Sequence, residues 1–368
     1  MHRLKGIFIL DGISYDLIYG EAERSALSRY VDFIAPPQTS QSIAENQHLL
    51  ADVDVIFSGW GAPMFDTNFL NAAPNLKVIF YGAGTIGYCM TYDVWERGVR
   101  VTSSNSANAI PVAEFTLSAI LFSLKWGWQL ERETRARKTY PERNTAPGCF
   151  GSTIGLISLG ATARALLRLL KAFDLKVLAY DPYVSDDECT ALGAKRVSLE
   201  ELFARSDVVS LHSPNFPETR EMITGQLLAS MKPGATFINT ARGEIVCEEE
   251  MIEIAQRRRD LHFVLDVVVV EPPSFDSPLY TLPNIVLTPH IAGSVGLECR
   301  RMGRYMVDEL ERYVAGIPLQ WEVTPESAAL SSHRIPERPA SLSLTLHKVK
   351  PRGAAAPVPA NLESANHP

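Results

Sequence analysis

Short apolar segments alternate with longer mixed segments through most of the chain. In the first third, four apolar segments have the length of buried strands, and helix-length stretches separate them. They are Gly6 to Leu10, Val53 to Ser58, Leu76 to Tyr81 and Arg100 to Thr102. Strands separated by helices in this way predict a parallel α/β architecture.

An almost wholly apolar helix is predicted after the fourth strand. We expect it to begin at Pro111, because proline is favoured at the first position of a helix. Its apolar side chains continue to Trp126 and Trp128, so we expect it to be buried between domains or subunits. A polar, charged loop is predicted to follow as far as Asn144.

The same alternation resumes at Thr153 and continues almost to the end of the chain. The predicted strands are Thr153 to Leu159, Lys176 to Tyr180, Val208 to His212, Ala235 to Asn239, His262 to Asp266 and Asn284 to Thr288. The predicted helices are Ala161 to Phe173, Leu227 to Met231, Glu248 to Arg259 and Val295 to Tyr313. We expect the last helix to return to the first domain. The segment from Ser332 to Pro368 is rich in Pro, Ala and Ser, which predicts disorder.

Composition narrows the class of protein. The chain has 368 residues, which favours two or three domains, and its hydrophobic content of 46% is that of a globular protein. A net charge of -7 argues against nucleic acid or an anionic membrane as a general partner. The 5 cysteines form no CxxC pair, so we expect reduced thiols, a cytoplasmic location and no metal site. No apolar run looks long enough to span a bilayer.

One candidate binding residue follows the predicted strand Ala235 to Asn239. Arg242 stands in the loop after it, beside Gly243. Open parallel sheets bind ligands at the carboxyl ends of their strands, and an arginine there presents a fork of donors that matches a carboxylate. The glycine is expected to let backbone approach a ligand. A surface salt bridge would be the simpler interpretation of Arg242 if it stood alone.

A candidate dinucleotide-binding turn joins the strand at Thr153 to the helix at Ala161. Aligned with the pattern GxGxxG, its three positions are Ser158, Gly160 and Ala163. The middle glycine permits close approach to a pyrophosphate and alanine is accepted at the third position, but serine at the first position is a departure. Asp181 ends the next strand, where a carboxylate binds the ribose diol of NAD and repels the extra phosphate of NADP. A structural Asp-Pro turn is the alternative for Asp181.

Two further candidates, Glu271 and His290, each follow a predicted parallel strand, as Arg242 does. All three could therefore meet in one crevice. Arginine would hold a 2-keto acid, and histidine would protonate its carbonyl oxygen as a nicotinamide delivers hydride. Glutamate bonded to the other imidazole nitrogen would fix the tautomer and favour the protonated ring.

At this point the chain resembles the D-isomer-specific 2-hydroxyacid dehydrogenases from about Leu4 to Val323. The matching segments are Tyr81 to Gly84, Asn108 with Val112 to Glu114, Ser158 to Ala163, Tyr180 to Pro182, Ser206-Asp207, Leu211-His212, Pro217 to Arg220, Met231 to Gly234, Ile238 to Gly243, Leu265-Asp266, Glu271-Pro272, Leu282 to Asn284 and Leu287 to Ser294. The resemblance implies two Rossmann-like parallel-sheet domains, with an NAD domain inserted into a flavodoxin-like substrate domain. The implied limits are 1–104 for the first part of the substrate domain, 105–294 for the NAD domain, 295–326 for the returning helix and 327–368 for a disordered tail.

The resemblance also implies roles for individual residues. Arg242, Glu271 and His290 would be catalytic, and Ala83 and Gly84, with Arg242 and His290, would bind the substrate. Asp266 would bind the nicotinamide carboxamide. The implied NAD-binding residues are Val112, Ser158, Gly160, Ala161, Thr162, Ala163, Asp181, His212, Thr219, Thr240, Ala241, Arg242, Asp266, His290 and Gly293. The family is usually dimeric through the region of the apolar helix, so a homodimer is expected. Glutamate at position 271, where related formate dehydrogenases carry glutamine, implies a hydroxyacid substrate.

Two functions remain open on the sequence. One is an NAD-dependent oxidoreductase that interconverts a small D-2-hydroxy acid and its 2-keto acid, similar to a glyoxylate or hydroxypyruvate reductase. The other is a non-catalytic NAD(H)-sensing module that binds partner proteins, which Ser158 and the tail favour slightly. The complete set of Arg242, Glu271 and His290 favours the enzyme, because a binding module needs no oriented proton donor.

Overall fold

The computed structural model describes residues 3–329, and these contain two parallel β-sheets. The strands of the first sheet are β1 (Leu4–Ile9), β2 (Val31–Phe33), β3 (Val55–Ser58), β4 (Val78–Tyr81) and β5 (Arg100–Ser103). Their order is β2-β1-β3-β4-β5, which is the flavodoxin-like arrangement. Between them run α1 (Gly12–Ile18), α2 (Glu21–Leu27), α3 (Ser40–Glu45), a 3-10 turn (Gln47–Leu50), α4 (Thr67–Ala72) and α5 (Asp93–Glu96).

Two consecutive helices lead from the first sheet to the second. The helices are α6 (Asn105–Leu124), α7 (Gly127–Arg137), α8 (Ala161–Leu170), α9 (Asp186–Ala191), α10 (Leu199–Arg205), α11 (Gly225–Ala229), α12 (Glu248–Arg257), α13 (Cys299–Ala315) and α14 (Pro325–Ala328). The strands are β6 (Thr153–Ile157), β7 (Lys176–Tyr180), β8 (Lys195–Arg196), β9 (Val208–Leu211), β10 (Thr236–Asn239), β11 (His262–Leu265) and β12 (Ile285–Leu287). Three further 3-10 turns are Gly243–Ile245, Pro278–Tyr280 and Gly296–Glu298.

The second sheet has the order β12-β11-β10-β9-β6-β7-β8. The chain order therefore reverses between β6 and β9, and a ligand crevice lies outside the carboxyl ends of strands at such a reversal. All pairings in both sheets are parallel. The α/β class and the two parallel sheets predicted from the sequence are confirmed.

The first sheet is covered on both faces because its strands alternate two apolar sets. Ile7, Ile56 and Ile79 point into a core shared with α3 to α5. The opposite face carries the aromatic residues Phe57 and Phe80, whose stacked ring centroids are 5.1 Å apart. Helices α1, α2 and α13 cover that second face, so the helix near the end of the chain completes the core of the first sheet.

The described chain ends along the free edge of β5. Val323 donates its backbone N–H to Val101 at 2.8 Å, and Ser103 donates to Trp321 at 3.1 Å. Arg100 forms a bidentate salt bridge with Glu322, at 2.7 and 2.8 Å. Residues 321–323 therefore protect an edge that would otherwise be open to pairing.

The helix predicted to begin at Pro111 begins instead at Asn105, and Pro111 lies inside it. Proline at this position removes one helical hydrogen bond, but packing overrides this cost. Ala107 is fully buried in the core between the first sheet and α1, α2 and α13. Ala113 and Ile120 are fully buried in a core of the second sheet. Because α6 contributes to both cores, the extra turns before Pro111 are held in place.

Helix α6 also corrects the expectation that no segment could span a bilayer. Its 20 residues are long and apolar enough by length and composition, although half of the relevant window is buried. The sequence did not predict such a segment because the helix was expected to begin only at Pro111. The buried face of α6 packs on α8 and the second sheet, as a core helix does.

The charged loop predicted after Trp128 is wrong over Gly127–Arg137, which forms α7. No residue of α7 is buried, so no apolar periodicity announces it. Salt bridges four residues apart, Glu131 with Arg135 and Glu133 with Arg137, stabilise this exposed helix.

The disorder expected from position 327 is wrong for residues 327–329. Thr324 caps α14 and forms a capping box with Ser327. Ala328 is fully buried in the core that the first sheet shares with α3 to α5. The rest of the expected tail, 330–368, lies outside the described residues.

Candidate active site

Arg242 lies in the loop after β10, at the carboxyl edge of the second sheet. The Asn239 side chain shapes this loop by accepting from the Ala241 N–H at 3.0 Å and donating to the Arg242 carbonyl at 3.0 Å. The guanidinium donates to the Ala241 carbonyl at 2.6 Å and forms no salt bridge with any residue in 3–329. The surface salt bridge considered for Arg242 is therefore not its role in the described chain.

Gly243 is needed for a different reason from the one expected. A Cβ there would lie 2.0 Å from the Val268 carbonyl carbon and 2.3 Å from the Val269 nitrogen. The close approach seen in the structure is therefore to the loop after β11, and the approach to a ligand stays a prediction. Gly243 brings the loop of Arg242 against the segment that leads to Glu271.

Glu271 and His290 form the predicted pair. His290 Nδ1 lies 2.7 Å from Glu271 Oε2, and the two side chains are 49% and 38% exposed. Glu271 Oε1 accepts from the Val268 N–H at 3.2 Å. The ring is thus held through Nδ1, which leaves Nε2 as the nitrogen that can meet a substrate.

Asp266 holds the loop that carries His290. Its carboxylate is 2% exposed and accepts from the Thr288 hydroxyl at 2.6 Å, the Ile291 N–H at 2.8 Å and the Ala292 N–H at 2.8 Å. His290 adopts a φ of 54°, a left-handed conformation that histidine tolerates better than most residues. Three bonds to one buried carboxylate keep this turn in place and leave acceptor capacity for the carboxamide predicted there.

The three candidate catalytic residues follow three neighbouring strands, because β10, β11 and β12 are adjacent in the sheet. The predicted substrate cradle is on the first sheet, where Ala83 and Gly84 follow β4. The Ser103 hydroxyl donates to the Gly84 carbonyl at 2.6 Å and fixes this loop. The backbone N–H groups of Ala83 and Gly84 have no hydrogen-bond acceptor among residues 3–329.

Asn108, on α6, joins the cradle to the histidine loop. Its Oδ1 accepts from the Ser294 N–H at 2.9 Å, and a Cβ on Gly84 or Gly293 would lie 3.6 or 3.3 Å from its side-chain amide. The elements that carry Ala83, Gly84 and His290 therefore meet at one side chain. The sequence matched Asn108 to the family without giving it a role, because its partner is 186 residues away.

The first position of the dinucleotide turn has a strained backbone conformation. Ser158 adopts a φ of 73°, which costs a residue with a Cβ on the order of 1 kcal/mol. Its N–H is bonded to the Tyr180 carbonyl at 2.7 Å. The turn therefore keeps the shape expected of a glycine turn.

The peptide groups next to Ser158 are held on both sides. The Leu159 N–H donates to Asp181 Oδ2 at 2.7 Å, and the Leu159 carbonyl accepts from Arg164 Nε at 2.7 Å. Arg164 also reaches Glu188 at 2.6 Å. We call this set, Arg164 with Glu188, the arginine brace. Nothing in the sequence distinguished Arg164 from a surface residue.

Asp181 forms the structural turn that the sequence offered as its alternative, and its geometry leaves room for the predicted ribose contact. It is 7% exposed, and its second oxygen accepts from the Tyr183 N–H at 2.8 Å, as in an Asp-Pro turn. Each carboxylate oxygen accepts one backbone bond and retains a lone pair, so a ribose hydroxyl can still be bound.

The turn fits a dinucleotide. Gly160 has an ordinary φ of -71°, and a Cβ there would meet no atom within 4 Å. Its backbone therefore does not require glycine, and only a close ligand would. Gly160 precedes α8, whose first N–H groups receive no side-chain cap, the usual setting for a pyrophosphate. Ala161 is exposed and Thr162 half-buried beside it, while Ala163 is fully buried against the second core.

The remaining predicted cofactor residues line the same edge of the sheet. Desolvation lowers the pKa of His212 to about 4, so the ring is neutral at pH 7. His212 Nε2 lies 3.0 Å from the Ser210 hydroxyl, and Nδ1 is buried without a partner among residues 3–329. That orphaned nitrogen is a further group that a bound cofactor could satisfy.

Threonines near the edge are used within the protein. The Thr219 hydroxyl donates to the Pro214 carbonyl at 2.7 Å and accepts from the Phe216 N–H at 2.8 Å, so it shapes its own loop. Thr240 pairs with Thr116 of α6 at 3.2 Å. Val112 lies half-buried one helical turn before Thr116, and Ala241 is buried beside Arg242.

The sequence profile described as "D-isomer specific 2-hydroxyacid dehydrogenase, NAD binding domain" matches residues 117–292. The chain is 30% identical to a hydroxypyruvate reductase of Thermotoga maritima, over 74% of this chain and 89% of that protein. It is 31% identical to a D-3-phosphoglycerate dehydrogenase of Archaeoglobus fulgidus, over 69% of this chain and 48% of that protein. The chain thus spans about half the length of the phosphoglycerate dehydrogenases that it matches.

A solved structure agrees. The D-mandelate dehydrogenase of Rhodotorula graminis superposes with a TM-score of 0.73 at 25% identity, over 88% of this chain and 98% of that one. The profile match identifies the region of the second sheet as an NAD-binding domain. The solved structure agrees with the overall fold, which has two parallel sheets. The chain belongs to the family of D-isomer-specific 2-hydroxyacid dehydrogenases.

Proposed function

We propose that this chain interconverts a small D-2-hydroxy acid and its 2-keto acid with NAD(H). The observation that carries the proposal is the His290–Glu271 pair, at 2.7 Å, on loops next to an arginine that has no salt bridge among residues 3–329. A non-catalytic sensor would need the cofactor turn but not this oriented proton donor.

Arg242 and the cradle bind the substrate in this proposal. The guanidinium matches the carboxylate and the carbonyl oxygen of a 2-keto acid in two parallel hydrogen bonds. The N–H groups of Ala83 and Gly84 meet the same carboxylate from the first sheet. These contacts fix the face of the carbonyl group that is turned toward the nicotinamide site.

His290 carries the proton. In reduction, Nε2–H gives its proton to the carbonyl oxygen, and in oxidation the same nitrogen removes it from the hydroxyl group. Glu271 keeps the ring oriented and stabilises the positive charge that the ring bears before it gives up the proton. NADH, when bound, supplies the hydride that reaches the carbonyl carbon.

Three arrangements support NAD as the group held at the turn: Gly160 with the uncapped N-terminus of α8, the acceptor pairs of Asp181, and the open Nδ1 of His212. We further propose a preference for NAD(H) over NADP(H), because the Asp181 carboxylate would face the extra phosphate with like charge. Asp181→Asn removes the charge and keeps one acceptor oxygen, so one of the two backbone hydrogen bonds to this side chain is lost as well. It should narrow the ratio of kcat/KM between NADH and NADPH, and an unchanged ratio would exclude Asp181 as the discriminator.

A homodimer through α6 and α7 is part of the proposal. Phe122 lies in α6, and Tyr140 and Phe150 lie in the segment between α7 and β6; their side chains are 42%, 85% and 86% exposed. Large apolar side chains concentrated in one region favour an interface. Light scattering after gel filtration measures the mass, and a monomer at micromolar concentration would contradict this. The five cysteines are all free, in keeping with the proposed cytoplasmic location.

The domain assignment is likewise proposed: residues 1–104 with 295–326 bind the substrate, and residues 105–294 bind NAD. The decisive test of function is NADH oxidation with glyoxylate, hydroxypyruvate, pyruvate and bulkier 2-keto acids. Turnover with at least one acid is expected, together with its loss in His290→Ala. If the protein binds NADH but reduces none of them, the sensor function replaces the enzymatic one.

A further inference from the structure

We infer that the group attached to the keto carbon of the preferred substrate is uncharged and apolar, larger than a hydroxymethyl group and without a phosphate. This inference rests on the proposed function and deepens it. It is carried by the loops that surround Ala83 and Gly84 on the first sheet.

These loops follow the carboxyl ends of the strands and contain no cationic residue. They are 10–14 after β1, which includes the first residues of α1, 34–39 after β2, 59–66 after β3, 82–92 after β4 and Ser104 after β5, and none holds lysine, arginine or histidine. Their acidic residues are Asp11 and Asp66, each of which caps the helix that follows it. The charged residues of these loops are therefore all acidic.

The loops contact one another and form one surface, which we call the apolar wall. The Asp11 N–H donates to the Trp60 carbonyl at 3.0 Å, which joins the loops after β1 and β3. The Phe65 N–H donates to the Cys89 carbonyl at 2.7 Å, which joins the loops after β3 and β4. Trp60 packs on both cores of the first sheet and makes this surface rigid.

Exposed apolar side chains stand on this wall and on the loops opposite. On the wall, Ile13, Met64 and Tyr88 are 76%, 48% and 57% exposed. On the second sheet, Val270 precedes Glu271 and Val295 follows the histidine loop, at 65% and 51% exposed. Single exposed apolar residues are ordinary, but a group on the loops around one crevice marks a surface that receives an apolar partner.

A second anion on the substrate would lack a counter-charge here. Arg242 is engaged by the carboxylate at the reacting end. A phosphate beside the apolar wall would lose hydration without gaining a cation, whereas an apolar side chain gains by leaving water.

Arg300 and Arg301 follow the histidine loop in the chain, at the start of α13, and neither belongs to the loops of the wall. A Cβ on Gly20 would lie 2.3 Å from Arg300 Nη1, so this guanidinium covers the α1–α2 junction. Arg301 lies on another flank of α13, beside Tyr305. Each has a buried Nη1 without a partner among residues 3–329, so both are included in the test.

The test is kcat/KM for NADH oxidation with phenylpyruvate, 4-methyl-2-oxopentanoate, hydroxypyruvate and 3-phosphohydroxypyruvate. At least one of the two apolar acids should exceed hydroxypyruvate by about tenfold or more, which is about 1.4 kcal/mol, and the phosphorylated acid by still more. A preference for hydroxypyruvate or its phosphate would overturn the inference and leave the proposed function intact. If no acid is reduced while NADH binds, the proposed function fails, and the inference fails with it.

Two substitutions locate the effect. Met64→Arg should lower kcat/KM for the apolar acids and raise it for 3-phosphohydroxypyruvate. Ile317→Arg is the matched control, because Ile317 is 47% exposed and lies beyond the far end of α13. If both variants behave alike, the wall does not contact the substrate. Arg300→Gln and Arg301→Gln should leave the ratio between apolar and phosphorylated acids unchanged, and a selective loss of the phosphorylated acid in either would overturn the inference.

Discussion

At the scale of single residues, the function depends on where one imidazole nitrogen points. His290 is held by Glu271 through Nδ1 and by Asp266 through the backbone of its loop. Neither contact uses Nε2. The residue is thus fixed for proton transfer without being buried, and its removal should affect chemistry more than folding.

His290→Ala should lower kcat by roughly 100- to 10,000-fold, the range for a general acid–base, with the Kd for NADH nearly unchanged. Steady-state kinetics and calorimetric titration measure the two quantities. His48→Ala is the matched control, since His48 is exposed on the first sheet's 3-10 turn. Near-normal turnover in His290→Ala would remove this residue from the mechanism.

Ser158→Gly should relieve the positive φ of the dinucleotide turn. We expect the free energy of unfolding to rise by about 1 kcal/mol and NADH binding to stay unchanged or tighten by no more than about tenfold. Urea unfolding and calorimetry measure both. Ser28→Gly, at an exposed position with a φ of -64°, should give no such gain. If the native protein does not bind NADH while Ser158→Gly does, the turn is not functional in this chain.

The sequence predicted the site residues because each follows an apolar strand and differs in chemistry from its surroundings. Arg242, Glu271 and His290 could be placed at one sheet edge on that ground alone. The reason for Gly243 could not be found, because Val268 approaches it only after the sheet has formed. The φ of Ser158 remained open, since the sequence allows both conformations.

At the scale of elements, the strained turn and α8 act as one unit through the arginine brace. The Arg164 guanidinium donates to the carbonyl of Leu159, the residue after Ser158, and its salt bridge with Glu188 reaches α9. The salt bridge is exposed and contributes little by itself. The bond to the backbone is therefore the part that matters for cofactor binding.

Arg164→Met should weaken NADH binding by about 3- to 10-fold, which is about 0.7–1.4 kcal/mol for one lost hydrogen bond. The loss should shrink in the Ser158→Gly background, because an unstrained turn needs less support. Arg205→Met, which breaks another exposed salt bridge, is the control. Equal losses in both backgrounds would show that the brace does not act on the turn.

Elements with strong periodicity were predicted within a few residues, and two of the errors share one cause. Helix α7 has no buried face, and the start of α6 is polar, so neither carries the apolar spacing that identifies a helix. Strand β2 was missed because its 3 residues are too few to show an alternating apolar pattern. Their positions follow from contacts made elsewhere in the molecule.

At the scale of the whole molecule, buried histidines make stability depend on pH. Desolvation, with a smaller effect of Arg132, lowers the pKa of His262 from 6.5 to about 4. His262 is 4% exposed and contacts Gln129 of α7 at 2.9 Å. The folded protein therefore keeps this ring neutral at a pH where the unfolded chain protonates it.

The free energy of unfolding should consequently fall as pH drops below about 6.5 and continue to fall to about 4. Between pH 7.5 and 5 the contribution of His262 is about 2 kcal/mol. Urea unfolding at both pH values measures it, and His262→Gln should show a drop smaller by that amount. His48→Gln should behave as the native protein. An equal drop in His262→Gln would show that this ring does not govern the acid response.

The late arrival of α13 has a consequence for synthesis. Helices α1 and α2 are made early, but the face of the first sheet that carries Phe57 and Phe80 lacks α13 until the ribosome has made about 200 further residues, which takes about 10–40 s at usual elongation rates. The second sheet is continuous in the chain from Thr153 to Leu287, so it can close while the first still waits. Protease protection of stalled nascent chains should therefore appear in the later-made half first, and the aromatic face of the earlier half should be the surface that chaperones occupy.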